Sequence, residues 1–190
     1  MMIDNFNIIA DLIRPEERNN TFFLVQIVPR VKDYPNNKNE GTITAYYIQS
    51  AEELFRRESE IKMVADIYHA RAYINIAPKS YVKLQQNIIQ ELIRKSFDNQ
   101  YPKIQKLILS EAGKLKSDHP KWIIDLDDAN NFTSIVNWLA AQDVQWVFVP
   151  TKSYGHIITK SKFNTNLFIK EFPGIDIHKN SMGTLLYMNL

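Results

Sequence analysis

The chain has 190 residues, a formal net charge of +2 and no cysteine. This length suits one domain, or one domain of two lobes, and 45% hydrophobic residues can bury a sizeable core. The lack of cysteine excludes disulfides, thiolate zinc sites and a cysteine nucleophile. The balanced charge excludes a global polycation, so any affinity for nucleic acid must come from local patches.

The start of the chain predicts no export. It lacks the basic segment and long apolar core of a signal peptide, and no apolar run approaches the roughly 20 residues that span a bilayer. We therefore expect a cytoplasmic protein without a membrane partner.

Residues 1–116 predict an N-terminal αβ lobe. Strands are expected where β-branched and aromatic residues dominate, at 21–28, 42–49 and 70–76. Helices are expected at 3–13, from the Ser50 cap to about 66, from Pro78 to about 97 and from Pro102 to about 112. The polar segment 32–41 predicts a long hairpin loop.

The segment 79–116 is basic, with eight Lys or Arg against three Asp or Glu. A solvated helix face and a surface for a phosphate backbone both explain this excess. Residues 113–120 then predict a boundary between two lobes.

Residues 121–190 predict a second lobe. The expected order is strand, helix, strand, strand, helix, strand, at 122–127, 131–142, 144–150, 155–160, 164–172 and 174–178. This βαββαβ order is typical of a ferredoxin-like, RRM-like lobe, and a strand at 184–189 is left over. We expect an α+β fold, a single two-lobed domain over 1–190 in which an N-terminal αβ lobe (1–116) packs on the RRM-like lobe (121–190).

Carboxylates are crowded at the end of the first strand of the second lobe. Strand alternation places Asp125 and Asp127 on one face. In the βαββαβ topology this strand end meets the start of the third strand, at His156, and the fourth strand, at Asp176. Crowded carboxylates raise one another's pKa unless a cation neutralises them, and their hard oxygens suit Mg²⁺ or Mn²⁺. We therefore expect a divalent metal site formed by Asp125, Asp127 and Asp176.

Polar and basic side chains near this site are expected to bind a nucleotide. They are His156, Lys152 and Lys160 in the second lobe, and Arg71 at a strand start in the first. For Arg71, an ordinary surface or salt-bridged position is the competing interpretation.

Three segments of the second lobe, IIDLD (123–127), SYGHIIT (153–159) and GIDI (174–177), resemble the motifs of the archaeo-eukaryotic primase, or primase-polymerase, superfamily. The resemblance implies a minimal catalytic core in which Asp125, Asp127 and Asp176 carry divalent metal and His156 and Ser153 contact a nucleotide. It implies nucleotidyl transfer from a nucleoside triphosphate on a single-stranded nucleic-acid template, together with a replication partner protein. The family spacing is usually Ser-x-His, whereas two residues separate Ser153 from His156 here.

Two other functions stay open. One is a catalytically inactive relative of the primase fold that serves as a nucleic-acid-binding or interaction module. The other is a haloacid-dehalogenase-like phosphatase, whose first motif also ends a strand with Asp-x-Asp. That family places the motif near the N-terminus of a parallel sheet, which the pattern here does not predict.

Overall fold

A computed structural model describes residues 1–30, 41–179 and 183–189. The protein has an α+β fold, with 41% helix, 26% strand and two antiparallel sheets. The expected loop at 32–41 lies, apart from Gly41, outside the described residues.

The elements of the first 116 residues alternate between strands and helices. The strands are β1 (Met2–Asp4), β2 (Thr21–Val28), β3 (Thr44–Ile48), β4 (Arg71–Ile74) and β5 (Lys79–Ser80). The helices are α1 (Phe6–Ile13), followed by a 3-10 turn (Arg14–Glu16), then α2 (Ala51–Ile67), α3 (Tyr81–Phe97) and α4 (Ile104–Lys114).

The remaining residues carry the predicted βαββαβ series and one more strand. In chain order they are β6 (Trp122–Leu126), α5 (Phe132–Ala141), β7 (Trp146–Pro150), β8 (Gly155–Thr159), α6 (Thr165–Glu171), β9 (Asp176–His178) and β10 (Thr184–Asn189).

The second sheet has the order β7-β8-β6-β9, with every pair antiparallel. This is the ferredoxin-like arrangement, so the predicted βαββαβ topology is confirmed. One face packs against α5 and α6 through Ile124, Leu126 and Ile157.

The first sheet has the order β1-β10-β4-β2-β3, with β5 paired to the start of β2. The strand that was left over in sequence, β10, therefore lies inside the first sheet and not in the second lobe. Its first five residues are all buried, as expected of a central strand with both faces covered. The expected lobe over 121–190 is corrected accordingly, since only the part up to β9 builds the second sheet.

Two helix starts differ from the predictions because short strands precede them. We expected a helix from residue 3, but Met2–Asp4 pairs with the end of β10 before α1 begins. We expected a helix from Pro78, but Lys79–Ser80 pairs with β2, and the Ser80 side chain caps α3 by accepting from the Lys83 N–H. The predicted Ser50 cap of α2 is confirmed, since its side chain accepts from the Glu53 N–H at 3.1 Å.

The two lobes share a hydrophobic core. Ile123, Val149 and Ile158 of the second sheet belong to the buried cluster formed by α1, α2 and the first sheet. Asn5, which is 1% exposed, donates from Nδ2 to Pro150 O at 2.9 Å and Leu185 O at 2.8 Å. This side chain therefore joins β7 of one sheet to β10 of the other.

Helices α3 and α4 form a hairpin against the opposite face of the first sheet. Lys79 is 1% exposed beneath it, and Nζ donates to Ala112 O, Gly113 O and Leu115 O at 2.9, 3.3 and 2.7 Å. A cation is favourable among these carbonyls because they end α4. Burial nevertheless lowers the pKa of Lys79 to about 8.

Candidate active site

Three of the predicted site residues lie in one row across the second sheet. Asp125 on β6 is in register with His156 on β8 and with Asp176 on β9. Directly paired residues project from the same face, with their Cβ atoms about 5 Å apart. The expected meeting of these three positions is therefore confirmed in the backbone register.

The hairpin between β7 and β8 carries the predicted polar residues beside this row. Thr151 N–H donates to Tyr154 O at 3.1 Å, which closes the turn containing Lys152 and Ser153. Gly155 then allows a close approach, because a Cβ there would lie 2.3 Å from Phe148 Cζ and 2.9 Å from Val149 O. The glycine thus lets the start of β8 pack closely against β7, and this packing fixes the position of the next residue, His156.

The His156 imidazole contacts the Asp125 carboxylate. The Nε2–Oδ1 distance is 3.3 Å, and the side chains are 6% and 32% exposed, respectively. Contact with the imidazole lowers the pKa of Asp125, burial opposes this, and the charges of His156 and His178 add to the lowering. Asp125 is therefore held as a carboxylate.

The other ring nitrogen of His156 has no such contact. Among the described residues, His156 Nδ1 and Thr184 Oγ1 are the two buried side-chain atoms that lack a hydrogen-bond partner. Buried polar groups are paired in the great majority of cases, so an orphaned nitrogen beside paired carboxylates is a feature to explain.

A cleft of about 670 Å³ lies between the two lobes and contains Asp125 and His156 of this row. Its second-lobe wall is polar and consists of Asp125, Asp127, Thr151, Lys152, Ser153 and His156. Its first-lobe wall consists of Gln26, Val28, Arg30, Arg71, Tyr73, Gly183 and Leu185. Three cations thus share the cleft with two carboxylates, and the arrangement suits a ligand that carries several negative charges.

The structure brings most of the predicted nucleotide-binding residues into this cleft. Arg71 is 5% exposed, and its Nη1 lies 3.5 Å from the hydroxyl of Tyr73. Arg71, Lys152 and Ser153 all line the cleft.

Lys160 is not part of the cleft wall. It follows the far end of β8, four residues after His156, and its N–H donates to Gln145 O at 2.8 Å. Four residues of strand span about 13 Å, so sequence proximity to His156 was misleading.

Asp176 lies beside the cleft. It lines a smaller depression of about 200 Å³, which also contains Asp125, Asp127, Asp128 and Asn131. Asp125 and Asp127 therefore border both spaces. The third carboxylate of the sequence cluster has a local role, since Asp128 Oδ1 accepts from the Asn130 N–H at 2.8 Å.

The carboxylate oxygens are of the chemical type that a hard divalent cation prefers, but their side chains do not converge on one point in this structure. Asp127 and Asp176 are exposed, and Asp125 points to His156. Within residues 1–30, 41–179 and 183–189, no three acidic or histidine side chains converge closely enough to hold a metal ion. The backbone register aligns Asp125 with Asp176, so a metal ion would require rotation of the aspartate side chains.

Sequence reasoning missed several cleft residues. Gln26 and Arg30 lie on β2 or just after it, and Tyr73 on β4 faces the cleft. Period-two spacing contained the signal, because Tyr73 is two residues after Arg71 and shares its face. The signal was unusable until Gln26 was known to pair with Tyr73.

The fold bears on the phosphatase alternative, because both neighbours of the strand that ends in Asp-x-Asp run antiparallel to it. A haloacid-dehalogenase-like site needs a parallel sheet.

No helix in the described part of the chain is both long and apolar enough to cross a membrane. No protein-family model, curated protein or solved structure matches the chain.

Proposed function

We propose that the protein is a primase-polymerase-like nucleotidyltransferase. It adds nucleotides on a single-stranded nucleic-acid template, acts in the cytoplasm and works with a replication partner protein. One observation carries the proposal: Asp125, His156 and Asp176 are aligned on three adjacent strands, beside a cleft whose opposite wall carries Arg30 and Arg71.

The carboxylates would hold Mg²⁺ or Mn²⁺ in this proposal. Asp125, Asp127 and Asp176 supply hard oxygens, and the lowered pKa of Asp125 keeps it ionised for a cation. Bound divalent metal supplies charge neutralisation for the phosphates and for the oxygens of the transfer reaction.

The remaining cleft residues would bind and orient the nucleoside triphosphate. Arg71 and Lys152 are placed to contact phosphate oxygens, and Arg71 does so from a buried position where its interactions are strong. Ser153 contributes a hydroxyl donor on the same hairpin. His156 fixes Asp125 through Nε2, and its unpartnered Nδ1 provides hydrogen-bonding capacity that a small side-chain rotation directs to a ligand.

A second candidate function is a catalytically inactive nucleic-acid-binding or interaction module on the same fold. The observation that favours it is the contact between His156 and Asp125, which occupies a carboxylate that metal binding needs. Such a module would bind its partner through the basic wall of the cleft. Its carboxylates would have only a structural role in the second sheet and would bind no metal.

The deciding experiment is template-directed nucleotide incorporation. A labelled primer on a single-stranded template is incubated with nucleoside triphosphates and either Mg²⁺ or Mn²⁺, and parallel reactions omit the primer. Asp125→Asn and Asp127→Asn are expected to lower incorporation about 10²-fold or more, as removal of a group that stabilises transition-state charge does.

Asp128→Asn is the matched control, because it removes a neighbouring charge while the amide oxygen can still accept from the Asn130 N–H. It is expected to keep activity. If the wild-type protein incorporates nothing and calorimetry with Mn²⁺ detects no nucleotide binding, the enzymatic proposal is wrong. Retained oligonucleotide binding would then support the inactive module.

A further inference from the structure

The outer end of the α3–α4 hairpin has an unusual surface. The hairpin is anchored at its base, where Leu84, Ala112 and Leu115 pack with Phe22 and Leu24 of the first sheet. Toward the tip, large apolar side chains are left in solvent: Ile93 is 54% exposed, Phe97 83%, Tyr101 87% and Ile104 50%. Aromatic side chains this exposed indicate a surface that another molecule covers.

The same end of the hairpin is basic. Residues 91–107 contain four basic and two acidic residues. Arg94 binds both acids, with Nη2 2.9 Å from Glu91 Oε2 and Nη1 3.3 Å from Asp98 Oδ2. Both acidic residues of the segment are therefore bound by Arg94, and the charges of the three lysines remain to be located.

Those lysines line a groove of about 500 Å³ between the two helices. Lys95 comes from α3, Lys103 precedes α4 and Lys106 lies in its first turn. In the part of the chain that the structure describes, no carboxylate lies within ion-pair distance of these three side chains. Glu91 and Glu111 also line this groove, but they pair with Arg94 and Lys114, so the three lysines leave the groove a net charge of +3. A groove with this excess of positive charge is suited to a polyanion.

We infer that the hairpin tip binds single-stranded nucleic acid outside the cleft. Phe97 and Tyr101 would stack on bases, and Lys95, Lys103 and Lys106 would contact phosphates. Aromatic platforms beside a positive groove are the features that sequence-tolerant single-strand binding requires. A second copy of the chain is disfavoured as the occupant, because it would bring the same excess of positive charge against itself. The choice of nucleic acid rests on the proposed function.

The test measures fluorescence anisotropy of a labelled single-stranded oligothymidylate of about 20 nucleotides over a range of salt concentrations. A triple variant, Lys95→Gln with Lys103→Gln and Lys106→Gln, is expected to reduce the slope of log K against log salt by about 2, since each phosphate contact on a single strand contributes about 0.7. The double variant Phe97→Ala with Tyr101→Ala is expected to weaken binding at least about tenfold with little change in slope, since stacking does not depend on salt.

Matched controls separate position from charge and from aromatic content. Lys160→Gln with Lys162→Gln and Lys170→Gln removes three exposed lysines of the second lobe, and Tyr68→Ala removes a half-exposed tyrosine at the end of α2. Both are expected to bind like the wild-type protein. Because none of the substituted side chains is buried, thermal unfolding of each variant should match wild type.

The outcomes distinguish this inference from the proposed function. Calorimetry with nucleoside triphosphate and Mn²⁺ reports the cleft, and the hairpin variants should leave that binding unchanged. If nucleotide binding is absent from wild type while oligonucleotide binding still depends on the hairpin, the proposed function fails and the hairpin site stands. Unchanged oligonucleotide affinity and salt slope in both hairpin variants would overturn the inference, as would hairpin-dependent self-association or binding to phosphatidylserine vesicles without any effect on the oligonucleotide.

Discussion

Two buried ionisable side chains, Lys79 and His156, have opposite hydrogen-bonding environments. Lys79 is 1% exposed and its ammonium group donates to three carbonyls at the end of α4. His156 is 5% exposed, but only Nε2 has a polar contact and Nδ1 has no partner among the described residues.

The difference indicates which group holds the fold together and which serves a site. An ammonium group with three acceptors is satisfied, and removing it strands three carbonyls at once. A half-satisfied imidazole lowers stability, and such local strain is typical of functional sites. Lys79 is thus the structural group, and His156 is the candidate for function.

The largest expected effect is that of Lys79→Ala. It leaves a cavity and removes the donor from three carbonyls, two of them in buried hydrogen bonds, so we expect the free energy of unfolding to fall by about 3–4 kcal/mol. Lys79→Met keeps most of the volume and should lose about 2 kcal/mol. Urea denaturation followed by circular dichroism measures both values.

Lys116→Ala is the control for that experiment, since Lys116 is exposed. Its effect should stay within about 0.5 kcal/mol. A loss no larger for Lys79→Ala than for Lys116→Ala would show that the buried ammonium group does not support α4.

An intermediate effect is expected from pH. The folded pKa of Lys79 is about 8, below its ordinary value of 10.5, so between these values the unfolded chain binds more protons than the folded one. Stability should therefore rise with pH in this window, by roughly 1–2 kcal/mol between pH 8 and 9.5. Unfolding of wild type and Lys79→Met should be measured across this range.

The window should end near pH 10. Burial raises the pKa of Tyr47 and Tyr81 above 10, so the unfolded chain loses those protons first and stability falls at higher pH. Lys79→Met should lack the rise below pH 10 and keep the fall above it. Identical profiles for the two proteins would assign the rise to another group.

The smallest effect on stability is expected from His156→Leu. Leucine fills similar volume without a polar atom to satisfy, and Asp125, which is 32% exposed, regains contact with water. We expect a change below about 1 kcal/mol in urea denaturation, together with loss of nucleotide binding in the presence of Mn²⁺ by calorimetry. A large loss of stability with nucleotide binding intact would reverse the comparison and make His156 the structural group.

Local pattern was sufficient to predict most of the second sheet and the row of site residues within it. Alternation in WIIDLD and GIDIH fixed the faces of Asp125 and Asp176, and the βαββαβ order fixed their neighbours. The same reasoning failed for Lys160. This residue follows the other end of the strand that begins with His156 and its neighbour Gly155, and four residues of extended chain separate the two side chains by about 13 Å.

The basic wall of the cleft could be predicted only in part. Arg71 was identifiable as a candidate, but Gln26, Arg30 and Tyr73 face the site because β2 pairs with β4 and because β10 docks the first sheet beside the second. Pairings between strands more than 40 residues apart leave no local trace in composition or periodicity. For the same reason Met2–Asp4 could not be recognised as a strand.

The position of β10 also governs how the chain reaches this fold. Because β10 lies between β1 and β4, the first sheet cannot be completed until residues 184–189 have left the ribosome. Until then β1 has no partner strand and β4 keeps a bare edge, which is a surface open to mispairing. The early lobe is thus completed last, so the emerging chain depends on delayed long-range pairing, which is intrinsically slow.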